Sequence, residues 1–331
     1  MAEAVDLVEV WRGNLLECVH RGHAVVCGAD GAVTQAWGDP AALIYPRSSY
    51  KMIQALPLVE SGYADALGLR EDQLALCCAS HQGAAIHTDR VTRWLADLGL
   101  DESALRCGPQ EPGDRAARDA LIRAGQAPCQ IHNNCSGKHA GFLSYTAHSG
   151  GDAEYIDPAH PLQAAIRQVF DEVTGETSPG QGIDGCSAPT SITSVAGLAR
   201  AMAGFATAGG RHDARARAQV RLVDAMRAWP ELVNGEGYAC TELMRATGGR
   251  AAIKGGADGV YVAIIPDLGI GVALKILDGG ERAKEAAIAA LLIRLGVLDA
   301  AHPAALRLVG GPVRNRRGLE VGQMRAAAGL I

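Results

Sequence analysis

The order of predicted elements indicates an α/β fold, in which an antiparallel sheet with flanking helices is accompanied by a mainly helical lobe. Apolar and polar side chains alternate in the first part of the chain, and Asp30-Gly31 is a hairpin turn signal. Helical periodicity dominates from about residue 60 to 235, and strands return at about 251–277 before a last helix. Pairing the first and last strands in one sheet is the simplest packing. We therefore expect a single domain over 1–331, with an α/β lobe at about 1–60 and 250–331 and a helical lobe at about 61–249.

Composition places the chain among globular proteins. Of 331 residues, 48% are hydrophobic and 20% are charged. The net charge of -5 and the 4% aromatic content argue against nucleic-acid binding. The acidic N-terminus lacks a signal-peptide pattern, and no apolar run is long enough to cross a membrane, so we expect a soluble, cytoplasmic protein. Nine scattered cysteines do not suggest a disulfide framework.

Local signals set the predicted boundaries of several elements. Residues 15–20 and 23–27 read as strands that flank Arg21-Gly22, which we interpret as a turn, and residues 32–37 form the next strand. Pro57 is expected to end or kink the helix that begins near Ser48. Further helices are predicted at 116–124, 161–173, 194–205, 214–229 and 282–295.

The first candidate site is Ser48 with Lys51. Residues at i and i+3 of a helix share a face, so both side chains can point into one cleft. Serine is a weak nucleophile unless a nearby base activates it, and a desolvated lysine can do so. The helix N-terminus would add N–H groups for an oxyanion. The alternative is an N-cap serine beside a surface lysine.

Three further stretches carry reactive side chains. Ser80 and His81 lie where a predicted helix gives way to a loop, and spacing alone favours an N-cap serine beside a solvated histidine. Cys135, Lys138 and His139 would share a helical face. The third stretch is a glycine-rich loop that contains Asp184 and Cys186.

Cys135 and Cys186 could bind zinc with a third ligand, although structural zinc sites usually contain close cysteine pairs. Lys254-Gly255-Gly256 precedes a strand, and the small residues would let a ligand approach the strand edge. A plain surface turn is the alternative for that segment.

Taken together, these stretches resemble the thermolabile L-asparaginase II family, the class 3 L-asparaginases of the rhizobial type. The resemblance extends over almost the whole chain. The stretches that carry it are Val8-Glu9-Val10-Trp11-Arg12-Gly13, Pro46-Arg47-Ser48-Ser49 with Lys51, Cys78-Ala79-Ser80-His81 with Gly83 and His87, His132-Asn133-Asn134-Cys135-Ser136-Gly137-Lys138-His139, Gly182-Ile183-Asp184-Gly185-Cys186, Lys254-Gly255-Gly256, and Asn315-Arg316-Arg317-Gly318-Leu319-Glu320-Val321-Gly322. Gln82, Ala84 and Ala85 look less typical of the family.

The resemblance implies a fold similar to serine β-lactamases and glutaminases, and hydrolysis of L-asparagine to L-aspartate and ammonia in a homodimer. It pairs Ser48 with Lys51 and Ser80 with Lys254. It also implies a Zn²⁺ site. The zinc ligands that it implies are Cys135, Lys138 and Cys186, with water completing the shell. The residues that it implies to bind substrate or to support the site are Arg47, His81, Asp184 and His139.

The expected mechanism has neutral Lys51 take a proton from Ser48, which attacks the amide carbonyl. Ser80 with Lys254 as base is an alternative nucleophile, and spacing leaves His139 open as the third zinc ligand in place of Lys138. Three other functions remain: a glutaminase, a β-lactamase-like acyl hydrolase, and a zinc protein without catalysis. The chain lacks a Ser-Asp-Asn motif, which disfavours the β-lactamase.

Overall fold

The structure is a computed structural model that describes residues 3–330. The chain folds into two compact units. The sheet unit contains residues 3–49, 193–207 and 239–330, and the helical unit contains residues 50–192 and 208–238. These boundaries differ from the predicted lobes, since the sequence assigned 50–60 to the α/β lobe and both 193–207 and 239–249 to the helical lobe. That the whole chain is one domain stays a prediction.

Antiparallel pairing joins the strands of the described residues, as expected for the predicted α/β class. In the sheet unit one sheet has the order β11-β12-β1-β2-β10-β9-β8, with β3 paired to β2, so the first and last strands of the chain are neighbours as predicted. β4 pairs with β7, and in the helical unit β5 pairs with β6. The strands are β1 Val5–Arg12, β2 Leu15–Cys27, β3 Val33–Trp37, β4 Leu43–Ile44, β5 Gln181–Ile183, β6 Pro189–Ser191, β7 Thr193–Ser194, β8 Ala252–Gly255, β9 Val260–Ile265, β10 Ile270–Ile276, β11 Pro312–Arg314 and β12 Glu320–Ala326.

The turn predicted at Arg21-Gly22 is wrong, because β2 runs without a break through both residues. Gly22 pairs with Val5 on one side and Ile276 on the other. A Cβ atom at Gly22 would lie 2.1 Å from the carbonyl oxygen of Lys275. This glycine therefore marks a close backbone approach within the sheet, which is the other common reason for glycine in a strand.

The helices follow the predicted periodicity closely. Pro57 does not end the first helix. The helix contains Pro57 and continues to Glu60. The helices are α1 Lys51–Glu60, α2 Tyr63–Ala66, α3 Glu71–Cys77, α4 Ala85–Asp97, α5 Arg115–Ala124, α6 Ser136–Ser149, α7 Pro161–Thr174, α8 Val195–Ala206, α9 Ala214–Ala228, α10 Pro230–Val233, α11 Ala239–Ala246, α12 Glu281–Arg294 and α13 Pro303–Leu308. Between residues 3 and 330, none of the helices combines the length and the hydropathy that a membrane span requires.

Each unit is organised around a buried element. In the helical unit, α1 packs against α6, α7 and α9, and nine of its ten residues are buried. In the sheet unit, α8 and α12 cover the apolar strands β9 and β10. Helix α8 belongs with the sheet because its small, apolar face lies directly on the backbone of β10. A Cβ atom at Gly271 would lie 2.1 Å from the amide nitrogen of Ala203 and 2.3 Å from the carbonyl oxygen of Ala199.

We expect Gly271→Ala to destabilise the protein by roughly 2 kcal/mol or more, since a methyl group would push the helix backbone off the strand. Denaturant unfolding would measure the loss. The matched control is Gly209→Ala, where a Cβ atom has no neighbour within 4 Å. Equal stability of the two variants would contradict the close packing of α8 on β10.

Candidate active site

Lys51 is the centre of the polar cluster in the helical unit. A 3-10 turn, Arg47–Tyr50, leads into α1, and Lys51 is the first residue of that helix. Its side chain is 1% exposed. Nζ donates to Ser80 Oγ at 3.0 Å and to Cys135 Sγ at 3.1 Å, and also to the carbonyl oxygen of Ala79. The ammonium group therefore has three acceptors, as a buried cation requires.

The main chain on both sides of Ser80 is fixed within the helical unit. Ser80 follows α3, and its N–H donates to the carbonyl oxygen of Val233 at 2.8 Å. Its own carbonyl oxygen accepts from Asn234 Nδ2 at 2.8 Å. The Ser80 side chain is held close to Lys51, but the Ser80 amide is already engaged. That amide does not serve as an oxyanion donor in this arrangement.

Cys135 and Cys186 lie together between two lysines. Cys135 precedes α6, and Cys186 lies in the turn between β5 and β6. Lys138 Nζ donates to Cys186 Sγ at 3.1 Å. A hydrogen bond with the Cys135 thiol, and then the charge of Lys138, holds the pKa of Cys186 well below its usual value. Burial opposes the charge of Lys138, but the Cys186 and Cys135 sulfurs raise its pKa above normal. The cluster thus places a cysteine of increased acidity beside the ammonium group of Lys138.

His139 faces the same sulfur atom as Cys135 and Lys138, so the predicted helical face is present. Its Nδ1 is 2.9 Å from the hydroxyl of Tyr155, and its buried Nε2 has no hydrogen-bond partner among the described residues. Burial lowers the pKa of His139, and the Cys186 sulfur opposes that shift. A buried imidazole nitrogen beside the Cys186 sulfur is chemically suited to zinc, although His139 and the two cysteines do not form a three-ligand group among the described residues.

The cluster fits a zinc ion only if lysine is counted as a ligand. Within the stretch from residue 3 to 330, no group of three or more His, Cys, Asp or Glu side chains is arranged to hold a metal. The set available here combines Cys135 and Cys186 with Lys138. Among the described residues His139, which spacing left open as the third ligand, does not complete a metal-binding group with the two cysteines. Asp184 lies in the same turn as Cys186, where its Oδ1 accepts from the Gly185 amide at 2.9 Å, and its charge acts on Lys138.

In the sheet unit, the turn that contains Ser48 lies against the end of β8. Ser48 is half-buried. Arg47 is paired with Asp258, and both have φ of 54°, a conformation that costs energy outside glycine. Lys254 is 1% exposed, and its Nζ donates to the carbonyl oxygen of Gly255 at 2.6 Å.

The predicted site residues thus fall into both units. The helical unit brings together Lys51, Ser80 and the Cys135, Lys138, His139, Asp184 and Cys186 group, while Arg47, Ser48 and Lys254 belong to the sheet unit. Lys51 Nζ contacts the hydroxyl of Ser80, which is the serine that the family resemblance pairs with Lys254. The pairing of Ser48 with Lys51 and the roles of all these residues stay predictions.

Two asparagines in the cluster escaped the sequence-based prediction. Asn134 Oδ1 lies 2.9 Å from Cys135 Sγ, and the Asn134 carbonyl oxygen accepts from the His81 amide at 3.1 Å. Asn234 holds the Ser80 carbonyl oxygen. Asn134 was visible as part of the polar stretch before α6. Asn234 lies 154 residues from Ser80, and no local signal marks it.

His81 supports the Ser80 segment from within the protein. It is 2% exposed, its Nδ1 accepts from the Gly83 amide at 3.1 Å, and its Nε2 donates to Ser136 Oγ at 2.9 Å. Its ring stacks on that of His87 at 4.8 Å. Burial lowers the pKa of both histidines, and for His81 the charges of His87, Lys51 and His132 add to the shift. Both rings are therefore neutral near pH 7.

We expect the free energy of unfolding to fall as the pH drops below about 6.5, the ordinary pKa of histidine. In that range the unfolded chain binds protons at His81 and His87, whereas the native protein, in which the pKa of both histidines is lowered, does not. Each histidine adds up to roughly 1.4 kcal/mol per pH unit until its native pKa is reached. Melting temperatures between about pH 7.5 and about pH 5.5 would reveal the slope. His87→Gln should flatten it, and the exposed His212→Gln should leave it unchanged. An unchanged slope in His87→Gln would contradict this account.

Comparison with known proteins identifies the family. No curated protein matches the chain. Similar solved structures include native Mglu (13% identity, 85% of this chain and 66% of that chain, TM-score 0.49), a β-lactamase from Mycobacterium bovis (15%, 82% and 94%, 0.43) and a Bacillus glutaminase (11%, 84% and 91%, 0.46). The chain spans 61–66% of the length of the Mglu chain in its native, glutamate, and tris and glutamate forms.

Family membership rests on the match of the sequence itself. The sequence profile described as L-asparaginase II matches residues 8–326, which is nearly the whole chain. The chain therefore belongs to the L-asparaginase II family.

Proposed function

We propose that this protein is an L-asparaginase, an amidohydrolase that converts L-asparagine to L-aspartate and ammonia. Besides family membership, the observation that supports this most directly is the buried ammonium of Lys51, held 3.0 Å from Ser80 Oγ and three residues after Ser48. A lysine that contacts a serine hydroxyl in a buried setting is one of the arrangements that activate serine for attack on an amide.

In the proposed reaction Ser48 is the nucleophile. Lys51 first loses the proton of its ammonium form to solvent. The neutral amine then accepts the Ser48 proton while Oγ attacks the side-chain carbonyl carbon of asparagine. The C–N bond breaks, the leaving nitrogen gains a proton, and ammonia departs. Water then hydrolyses the acyl-serine, which returns Ser48 and releases L-aspartate. The contact between Lys51 and Ser80 would let Ser80 pass protons to the lysine or the leaving group, and we assign Lys254 to assist Ser80 on the basis of the family resemblance.

Ser80 is the alternative nucleophile because its hydroxyl contacts Lys51. Its amide, however, donates to Val233, which removes one donor that an attacking serine commonly uses to stabilise the oxyanion. Because the Ser80 amide is already hydrogen-bonded to Val233, Ser48 is favoured as the nucleophile.

The choice between the serines can be tested by intact-mass spectrometry of enzyme that is acid-quenched during turnover of L-asparagine. Ser80→Ala should keep an adduct of one aspartyl group, located on Ser48, with slowed turnover. Ser48→Ala should lack the adduct and lose activity by at least about 10³-fold, because the nucleophile is gone. An adduct that persists in Ser48→Ala would overturn the assignment. Ammonia release from L-glutamine by the wild type, compared with that from L-asparagine, tests the glutaminase alternative.

We further propose that Cys135, Lys138 and Cys186 hold Zn²⁺. When bound, zinc would act as a Lewis acid that orients the carboxylate end of the substrate, or its α-amino nitrogen in the unprotonated form. The geometric support is the adjacency of the Cys135 and Cys186 sulfur atoms and the contact of Lys138 Nζ with Cys186 Sγ at 3.1 Å. Lys138 must lose its proton to ligate, so its ammonium form belongs to the metal-free protein.

Metal content is the direct test of the zinc proposal. Cys135→Ser and Cys186→Ser should each lose most of the bound zinc measured by atomic emission, since each removes one of two thiolate ligands. Cys18→Ser, an exposed cysteine, should keep it. Zinc retained at the wild-type level in both ligand variants would refute the site. Full activity after complete metal removal would make zinc structural or dispensable. The homodimer and the cytoplasmic location expected from the sequence stay predictions.

A further inference from the structure

Lys284 is a buried cation in the sheet unit to which the proposed mechanism gives no part. It lies in the first turn of α12 and is 4% exposed. Its Nζ donates to the carbonyl oxygen of Gly256 at 2.6 Å and lies 2.8 Å from Glu281 Oε2. Glu281 has a side chain that is 70% exposed, so its pairing with Lys284 is solvent-screened and contributes little. The Lys284 ammonium also lies 5.8 Å from the ring centroid of Tyr261, so the hydrogen bond to Gly256 is its buried polar contact.

Gly256 is in direct contact with the turn that contains Ser48. A Cβ atom at Gly256 would lie 2.6 Å from the Pro46 carbonyl oxygen and 3.1 Å from the Ser49 amide nitrogen. The same turn is tied internally, since Ser49 Oγ and the Ser49 amide both donate to the Pro46 carbonyl oxygen, at 2.7 and 3.2 Å. The backbone of Gly256 thus packs closely against both residues that flank Arg47 and Ser48, and a side chain at this position would not fit.

Cations hold the rest of the β8–β9 connection as well. Lys254 Nζ donates to the Gly255 carbonyl oxygen, and Lys275 donates to the carbonyl oxygen of Asp258. Arg47 is paired with the Asp258 carboxylate. Charged side chains thus contact several groups in and beside the β8–β9 connection. Hydrogen bonds from charged donors are stronger than hydrogen bonds from neutral donors. Of these donors, Lys284 is the one that holds the residue on which the Ser48 turn rests.

We propose that Lys284 is a positioning residue for Ser48: by fixing the Gly256 carbonyl, it sets the place of the turn that presents the nucleophile. The inference rests on the proposed function, in which Ser48 is acylated. Burying an ammonium group is costly unless it is paired, and an apolar side chain would fill the same space without that cost. If Lys284 only filled space, replacing it with an apolar side chain of similar length would leave the reactivity of Ser48 unchanged. This difference makes the inference testable.

The first variant is Lys284→Met, which keeps the length of the side chain and removes the charged donor. We expect kcat for L-asparagine to fall by about 10- to 100-fold with KM within about twofold, because a small displacement of a reacting group lowers rate more than binding. Glu281→Gln is the matched control: it removes the exposed partner, leaves the hydrogen bond to Gly256, and should keep kcat within about twofold of wild type.

A second variant approaches the same contact from the other side. Gly256→Ala places a methyl group against the Pro46 carbonyl oxygen and should lower kcat in the same way. Melting temperatures will show whether Lys284→Met folds. If it does not fold, Gly256→Ala still tests whether the contact between Gly256 and the Ser48 turn affects kcat. A folded Lys284→Met with kcat within about twofold of wild type, or Gly256→Ala with unchanged kcat, would overturn the proposal.

The reactivity of Ser48 can be read without the proposed substrate. A fluorophosphonate phosphonylates an activated serine when Oγ attacks phosphorus and fluoride leaves. Peptide mass spectrometry should show Ser48 labelled in wild type and labelled at least about 10-fold more slowly in Lys284→Met. Wild type that labels at Ser48 but releases no ammonia from asparagine would defeat the proposed substrate and leave this test in force. Equal labelling rates in both proteins, or wild type without label at Ser48, would defeat the inference itself.

Discussion

The polar interior of the helical unit depends on one ammonium group. Lys51 is buried, and its three acceptors come from segments far apart in sequence: Ala79 and Ser80 after α3, and Cys135 before α6. Because an unpaired charge at that depth would be prohibitively costly, the loops that supply the acceptors must be placed together for α1 to pack. The stability of the helical unit and the arrangement of its reactive side chains therefore have the same physical origin.

Donors and acceptors also alternate in the part of the cluster that contains Cys135, Cys186 and Lys138. Cys135 contacts Lys51 on one side and Cys186 on the other, and Cys186 accepts from Lys138. Alternating donors and acceptors allow two cysteines and two lysines to share a buried volume at tolerable cost. The same principle operates in the sheet unit, where Arg47, Lys254, Lys275 and Lys284 satisfy groups of the β8–β9 connection.

Where sequence reasoning failed, tertiary contacts overrode a local signal. Arg21-Gly22 has the composition of a turn, yet Gly22 lies within β2 because the backbone of β10 approaches too closely for a side chain. Residues 193–207 have helical periodicity, but they belong with the sheet because small residues of α8 lie on Gly271. Asn234 reaches Ser80 across 154 residues, and its local sequence gives no sign of this.

The sequence by itself determined the α/β class, the antiparallel pairing of terminal strands, most helix positions, the family, and the shared face of Cys135, Lys138 and His139. Periodicity and i, i+3, i+4 spacing are local properties, so they can be read along the chain. Only the tertiary structure decided that Lys51 contacts Ser80, that Cys186 meets the α6 face, and that Lys284 holds Gly256. Those contacts join distant segments, and burial of charge, which no local pattern encodes, determines which partners meet.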